Sequence, residues 1–266
     1  MKVETEPVPY ANSEGVRIHY EVDGAEVPLV LLHGLSWSLE WWHELGYAQA
    51  LKGLYPLILI DARGHGRSDK PHTPDANGLA RDVADTIAVL DDLRVEKAHF
   101  LGYSMGGRIG FGLAKSAPER FRSFVIGGSG ADEVDPGQPD LWADEMIKFL
   151  KNGIDAWVAP WGQLFGPWMT SDLKARGLAN DAEALIARKS RREWIGLTDA
   201  LPTMATPSLL FVGEDDGPLA SASGRKAAQV MSNATLVSLP GLDHFRAVCR
   251  VDLVMPHILR FLAEVG

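Results

Sequence analysis

The chain has 266 residues, 46% of them hydrophobic and 23% charged, with a formal net charge of −9. That length holds one large domain with ample core, or one domain with a small insertion, and the composition excludes disorder. The acidic balance and scattered basic residues argue against a nucleic-acid surface, which needs clustered Lys and Arg, and the sole cysteine, Cys249, excludes an intramolecular disulfide and a cysteine metal cluster.

Met1 to Pro7 lack the basic start and apolar stretch of a secretion signal, and no run approaches the ~20 apolar residues of a membrane span. A cytoplasmic protein is the expectation. Val16 to Val22 alternates apolar and polar residues around Arg17, His19 and Glu21, which predicts a half-exposed strand after a turn at Asn12 to Gly15. Pro28 to Leu32 is continuously apolar and predicts a strand buried on both faces, as parallel sheets require; it ends in His33-Gly34-Leu35-Ser36. A helix is expected from Ser38 to Lys52, stopped at Gly53. A second apolar strand then runs from Tyr55 to Ile60 into Asp61-Ala62-Arg63-Gly64-His65-Gly66-Arg67-Ser68-Asp69. Leu79, Val83, Ile87 and Leu90 share one face of a helix between Leu79 and Leu93.

The apolar run Ala98 to Leu101 leads into Gly102-Tyr103-Ser104-Met105-Gly106-Gly107 and a helix that ends before Pro118. A serine with glycine two residues to each side fits a tight strand-to-helix turn, where flanking side chains would collide with the neighbouring chain. The helix that starts here points its free amides and positive dipole end at the serine hydroxyl. Ser104 therefore reads as a nucleophile.

Phe121 to Ile126 predicts the next strand, after which the strand and helix alternation stops. Between Asp132 and Leu201 helical stretches remain at Leu141 to Leu150 and Asp181 to Lys189, interrupted by Pro160, Gly162, Gly166 and Pro167. Five of the eight tryptophans fall there, so residues 132–201 predict an inserted helical cap over an apolar pocket. Trp142, Trp157, Trp161 and Trp168, with Trp37 and Tyr103, are its expected lining. Arg188, Lys189, Arg191 and Arg192 form the only basic cluster and read as the solvated face of a helix rather than an anion contact.

Alternation resumes with a strand at Ser208 to Val212 leading into Gly213-Glu214-Asp215-Asp216. A helix at Ala222 to Met231, a strand at Thr235 to Leu239, a turn at Pro240-Gly241 before His244 and a closing helix at Val251 to Ala263 complete the chain. Strands separated by helices predict an α/β fold, a mostly parallel sheet flanked by helices, built from residues 1–131 and 202–266. Functional residues in such a sheet collect at the carboxyl ends of the strands.

HGL at 33 to 35, DARGHGRSDKP at 61 to 71, GYSMGG at 102 to 107, GEDD at 213 to 216 and DHF at 243 to 245 together resemble the α/β-hydrolase superfamily. More narrowly they are similar to its small soluble serine hydrolases with a helical lid inserted after strand 6. That resemblance implies Ser104 as nucleophile, His244 as general base and an acid closing a Gly-x-x-Asp turn, which selects Asp216. The adjacent Asp215 is a register-shift competitor, and Asp132 a third candidate. It further implies an oxyanion hole made by the backbone N–H groups of Leu35 and Met105. His33 and the Arg63 to Gly66 turn are expected to shape loops.

No cofactor or metal is implied, and the expected partner is a small hydrophobic substrate. The implied reaction is hydrolysis of a carboxylic ester or lactone. Carbon–carbon bond hydrolysis of a diketone-like ring-cleavage product ranks second, because relatives that perform it commonly carry a glycine-rich segment where this chain has Leu35-Ser36-Trp37-Ser38. Acyl transfer or perhydrolysis ranks third, and a slow or non-catalytic ligand sensor is the alternative from another class. Serine at the elbow argues against dehalogenase and epoxide-hydrolase chemistry, which needs a carboxylate nucleophile.

Overall fold

The N-terminal alternation folds as a hairpin in which β1 (Tyr10–Ser13) pairs antiparallel with β2 (Val16–Asp23). The turn and β2 were legible in the sequence but β1 was not, since four residues are too few for alternation to register. Asn12 anchors that turn by accepting a 2.8 Å bond from the Gly15 N–H. The structure, a computed structural model, describes residues 9–24, 27–135, 137–217 and 220–266. The stretch Met1 to Pro7 read above lies outside the described residues.

The apolar runs become β3 (Leu29–Leu32) and, after two short helices, β4 (Leu57–Ile60). The single helix expected from Ser38 to Lys52 is split into α1 (Glu40–Glu44) and α2 (Tyr47–Leu51), because Gly46 turns to φ 88° between them. Then follow α3 (Leu79–Asp92), β5 (Ala98–Tyr103), α4 (Met105–Ser116) and β6 (Phe121–Gly127).

Between β6 and the next strand the regular elements are helical: α5 (Leu141–Lys151), α6 (Ile154–Val158), α7 (Trp161–Phe165), α8 (Ser171–Leu178), α9 (Ala182–Ser190) and α10 (Leu197–Ala200). Three of them start on side-chain caps, with Asp140, Thr170 and Asp181 accepting from the N–H three residues on. The sheet resumes with β7 (Ser208–Gly213), α11 (Ser221–Val230) and β8 (Ala234–Leu239), and the chain closes with α12 (His244–Cys249) and α13 (Val251–Val265).

The eight strands form one sheet in the order β1-β2-β4-β3-β5-β6-β7-β8, parallel from β4 to β8 and antiparallel at the β1–β2 edge. Alternate strand residues enter two cores. Leu29, Leu31, Leu57, Leu59, Leu101 and Phe211 pack with α1, α2 and α13, whereas Val30, Leu32, Ile58, Ile60, Phe100 and Leu210 pack with α3 and α4. Each such side chain taken out of water contributes roughly 1.5–3 kcal/mol, enough to fix the strand register and hence the strand ends that carry the site. No helix among the described residues is long and apolar enough to cross a membrane.

Candidate active site

Ser104 sits between β5 and α4 at φ 56° and ψ −111°, a conformation a non-glycine residue adopts only when its surroundings enforce it. The enforcement is visible in the flanking glycines. A Cβ on Gly106 would collide with the main-chain carbonyl of Leu32, and one on Gly102 with the carbonyl of Gly106. The backbone N–H of Ser104 donates to Gly127 at 2.8 Å and that of Gly106 to His33 at 3.1 Å, locking the turn to the strands on both sides.

Asp216 follows β7 and His244 follows β8, so both reach the same carboxyl edge as Ser104. His244 Nε2 lies 2.9 Å from Ser104 Oγ, and its Nδ1 lies 2.9 Å from Asp216 Oδ2. Because a carboxylate only accepts, Nδ1 carries the proton and Nε2 is free to accept from the serine hydroxyl. Asp216 is 4% exposed in its side chain, against 26% for His244. Among the described residues neither competitor acid bonds to His244. Asp215 is exposed, and Asp132 accepts from Lys226 at 2.9 Å.

The loop after β3 is tied from below. His33 accepts the Ala62 N–H on Nε2 at 3.1 Å and donates from Nδ1 to the Gly34 carbonyl at 2.7 Å. Burial above all holds His33 below the ordinary histidine range, in the neutral form those two bonds require. His65, which donates to the Arg63 carbonyl at 2.9 Å, is held well below that range by burial.

A cavity of about 580 Å³ opens over these groups. Ser104, Asp216 and His244 line it together with Leu35, Met105, Ile109, Trp142 and Phe245. Of the six aromatic residues expected there, Trp142 alone is among its walls. Trp37 stacks on Trp41 at 4.3 Å, Trp161 packs edge-on to Trp41, and Trp157 donates to Ser36 Oγ at 2.9 Å. Trp168 packs against the same core, and Tyr103 is fully buried beneath the site. These rings join the helical segment to the loop after β3 instead of facing the cavity, with Trp161 and Phe165 of α7 packed on Trp41 of α1 and α7 itself set against α12.

The basic cluster is also placed differently from its solvated reading. Arg188, Lys189, Arg191 and Arg192 line the cavity with Arg108, and Arg188 makes a two-pronged pair with buried Asp82 at 2.9 and 2.5 Å. Glu133, its side chain fully buried, accepts from the N–H groups of Ile195 and Leu197 at 2.9 and 2.6 Å, fastening the end of the helical segment. Arg108 was legible in principle: it lies one helical turn after Ser104, where α4 brings residues i and i+4 onto one face. Among the described residues no group of three or more His, Cys, Asp and Glu side chains is gathered as metal ligands.

A strained serine, a histidine and a carboxylate in hydrogen-bonded series at the carboxyl edge of a parallel sheet define a hydrolase-type site on an α/β scaffold. The family model for the alpha/beta hydrolase fold matches residues 27–165. A protein with the provisional name carbamate hydrolase RutD, from Azorhizobium caulinodans, is 38% identical over 97% of this chain and 99% of its own length. The 3-oxoadipate enol-lactonase 1 of Acinetobacter baylyi is 34% identical over 77% of this chain and 78% of its own. The crystal structure of the enol-lactonase from Burkholderia xenovorans LB400 matches with a TM-score of 0.84 at 25% identity, covering 96% of this chain and 100% of that one. The chain belongs to the α/β-hydrolase family, and its relatives support hydrolase activity.

Proposed function

We propose that the protein is a serine hydrolase that cleaves a carboxylic ester or lactone through an acyl-serine intermediate. The carrying observation is the series Asp216 Oδ2, His244 Nδ1, His244 Nε2 and Ser104 Oγ, each contact 2.9 Å. His244 takes the proton as Ser104 Oγ attacks the carbonyl, and Asp216 stabilises the imidazolium that forms. The backbone N–H groups of Leu35 and Met105 face the developing oxyanion, each such donor contributing roughly 10²–10³ in rate. His244 then protonates the departing alkoxide, and a water molecule repeats the sequence to release the acid. The helical segment, residues 132–201, acts as the cap, and the apolar walls near Ser104 suit a small to medium hydrophobic group.

Turnover of a chromogenic acetate ester tests this reading. Fast multiple turnover that is abolished in Ser104→Ala supports it. A single slow burst in the wild type points to a ligand sensor, and unchanged turnover in the variant removes Ser104 from the chemistry. A carbamate is the second substrate reading, favoured by the relative at 38% identity that carries that name. The same attack on a carbamate carbonyl leaves a carbamoyl-serine, so parallel assays of an ester, a lactone and a carbamate separate the three.

A further inference from the structure

The charged groups around the cavity are unevenly satisfied. Arg188 is held by Asp82, Arg191 reaches Asp75 at 2.8 Å and Arg192 reaches Asp144 at 2.8 Å. Lys189 is different. Among the described residues no carboxylate lies within ion-pair distance of it, and its ammonium sits 4.0 Å from the centre of the Trp142 ring. Arg108 is only partly engaged, with one nitrogen on the Asp132 carbonyl at 3.1 Å and another 3.5 Å from Glu133, whose carboxylate is already shared by two backbone N–H groups.

The two cations line the cavity from different helices. Arg108 stands on α4, its backbone N–H bonded to the Ser104 carbonyl at 2.9 Å, while Lys189 stands near the end of α9 in the cap. Burial above all, with repulsion from Arg188, Arg108 and Arg192 and against the pull of Asp140, brings the Lys189 ammonium down to about 7. An anion seated between Lys189 and Arg108 relieves that repulsion and joins cap to core. One point charge and one partly free guanidinium match a singly charged carboxylate.

We propose that Arg108 and Lys189 form a subsite for a carboxylate carried by the substrate, so that the cavity selects esters or lactones of organic acids that keep one free carboxylate. The substrate class rests on the serine-hydrolase reading; the anion subsite does not.

Two matched ester pairs test it. The monoester 4-nitrophenyl glutarate against 4-nitrophenyl pentanoate puts the charge on the acyl side, and 4-acetoxybenzoate against phenyl acetate puts it on the alcohol side. At about pH 6 the wild type is expected to show a kcat/KM at least about tenfold higher for the charged member of one pair. Lys189→Met should cut that ratio about tenfold and Lys189→Arg should keep most of it, because the cation is retained. The wild-type ratio should also fall several-fold between about pH 6 and about pH 9 as Lys189 loses its proton, because any ionisation that serves both members cancels in the ratio. A ratio near one for both pairs, or a ratio that Lys189→Met leaves alone, overturns the subsite. Calorimetric binding of the same four esters to Ser104→Ala separates the two readings. If no ester is turned over, the hydrolase reading fails, and preferential binding of a charged ester, lost with Lys189→Met, still decides the subsite.

Discussion

The Tyr103 hydroxyl donates a 2.5 Å hydrogen bond to the main-chain carbonyl of His244, joining the last residue of the strand before Ser104 to the start of α12, which carries the base. Burial holds the phenol well above its ordinary range, so it donates at every physiological pH. Its ring also lies parallel to Trp37 at 6.0 Å and packs on Phe211, so Tyr103→Phe keeps the packing and removes the bond alone. An unpaired buried carbonyl costs about 1–3 kcal/mol, and the freed His244 backbone widens the spread of Nε2 positions around Ser104. Ester turnover should therefore show kcat reduced about tenfold with KM changed less than about threefold. A larger change in KM than in kcat would make Tyr103 a wall of the cavity rather than a positioning residue.

The contact at 2.9 Å between Asp216 and His244, beside an exposed Asp215, predicts unequal consequences for the same substitution in adjacent residues. Asp216→Asn offers an amide that can donate to Nδ1 and so favours the wrong imidazole tautomer. Its kcat should fall by up to ~10⁴-fold, while Asp215→Asn should stay within about threefold of the wild type. Steady-state kinetics of the two variants on one ester decides this, and the reverse ranking reassigns the acid.

The elbow was legible in the sequence because its requirements are local: Gly102 and Gly106 are demanded by backbone atoms a few residues away or on the adjoining strand. The order of apolar runs likewise pointed to the parallel sheet, since strands buried on both faces read as nearly continuous apolar runs. The cavity walls were not legible. Whether Trp161 faces solvent, core or substrate depends on how α7 is rotated against α1 and α12, which no spacing within α7 records. The cluster from Arg188 to Arg192 failed for the same reason. Its charges look solvated until α9 is set against Asp82, a residue more than a hundred positions earlier, whose own burial has no local signature.

Gly106 sets the sharpest steric limit. A methyl group there meets the Leu32 and His33 carbonyls, which are rigid backbone and cannot swing aside. Gly106→Ala must push α4 away from β3, breaking the Gly106 N–H bond to His33 and displacing both Ser104 and the loop before Leu35. Overpacking of this kind costs roughly 1–3 kcal/mol or more. Thermal denaturation should show a Tm several degrees lower, and the folded fraction should retain less than about one hundredth of the ester activity. Near-normal activity in a stable Gly106→Ala protein would mean that the elbow relaxes without cost.

His33 and His65 make the fold sensitive to mild acid. Burial depresses both below the ordinary histidine value, so each is neutral in the native protein when the same side chain in the unfolded chain begins to take a proton at about pH 6.5. The unfolded state then binds more protons than the native state, and stability falls as pH falls. The loss starts near the unfolded value and continues down to the depressed native values, at up to about 1.4 kcal/mol per pH unit for each histidine. Above about pH 7.5 the two contribute no slope. His65→Asn can keep a donor near the position of Nδ1, which bonds to the Arg63 carbonyl, and removes the titration. Urea unfolding between about pH 5 and about pH 8 should show the variant less stable at the upper end but with a slope shallower by about one proton. Parallel curves for variant and wild type would exclude His65 as a source of the acid sensitivity.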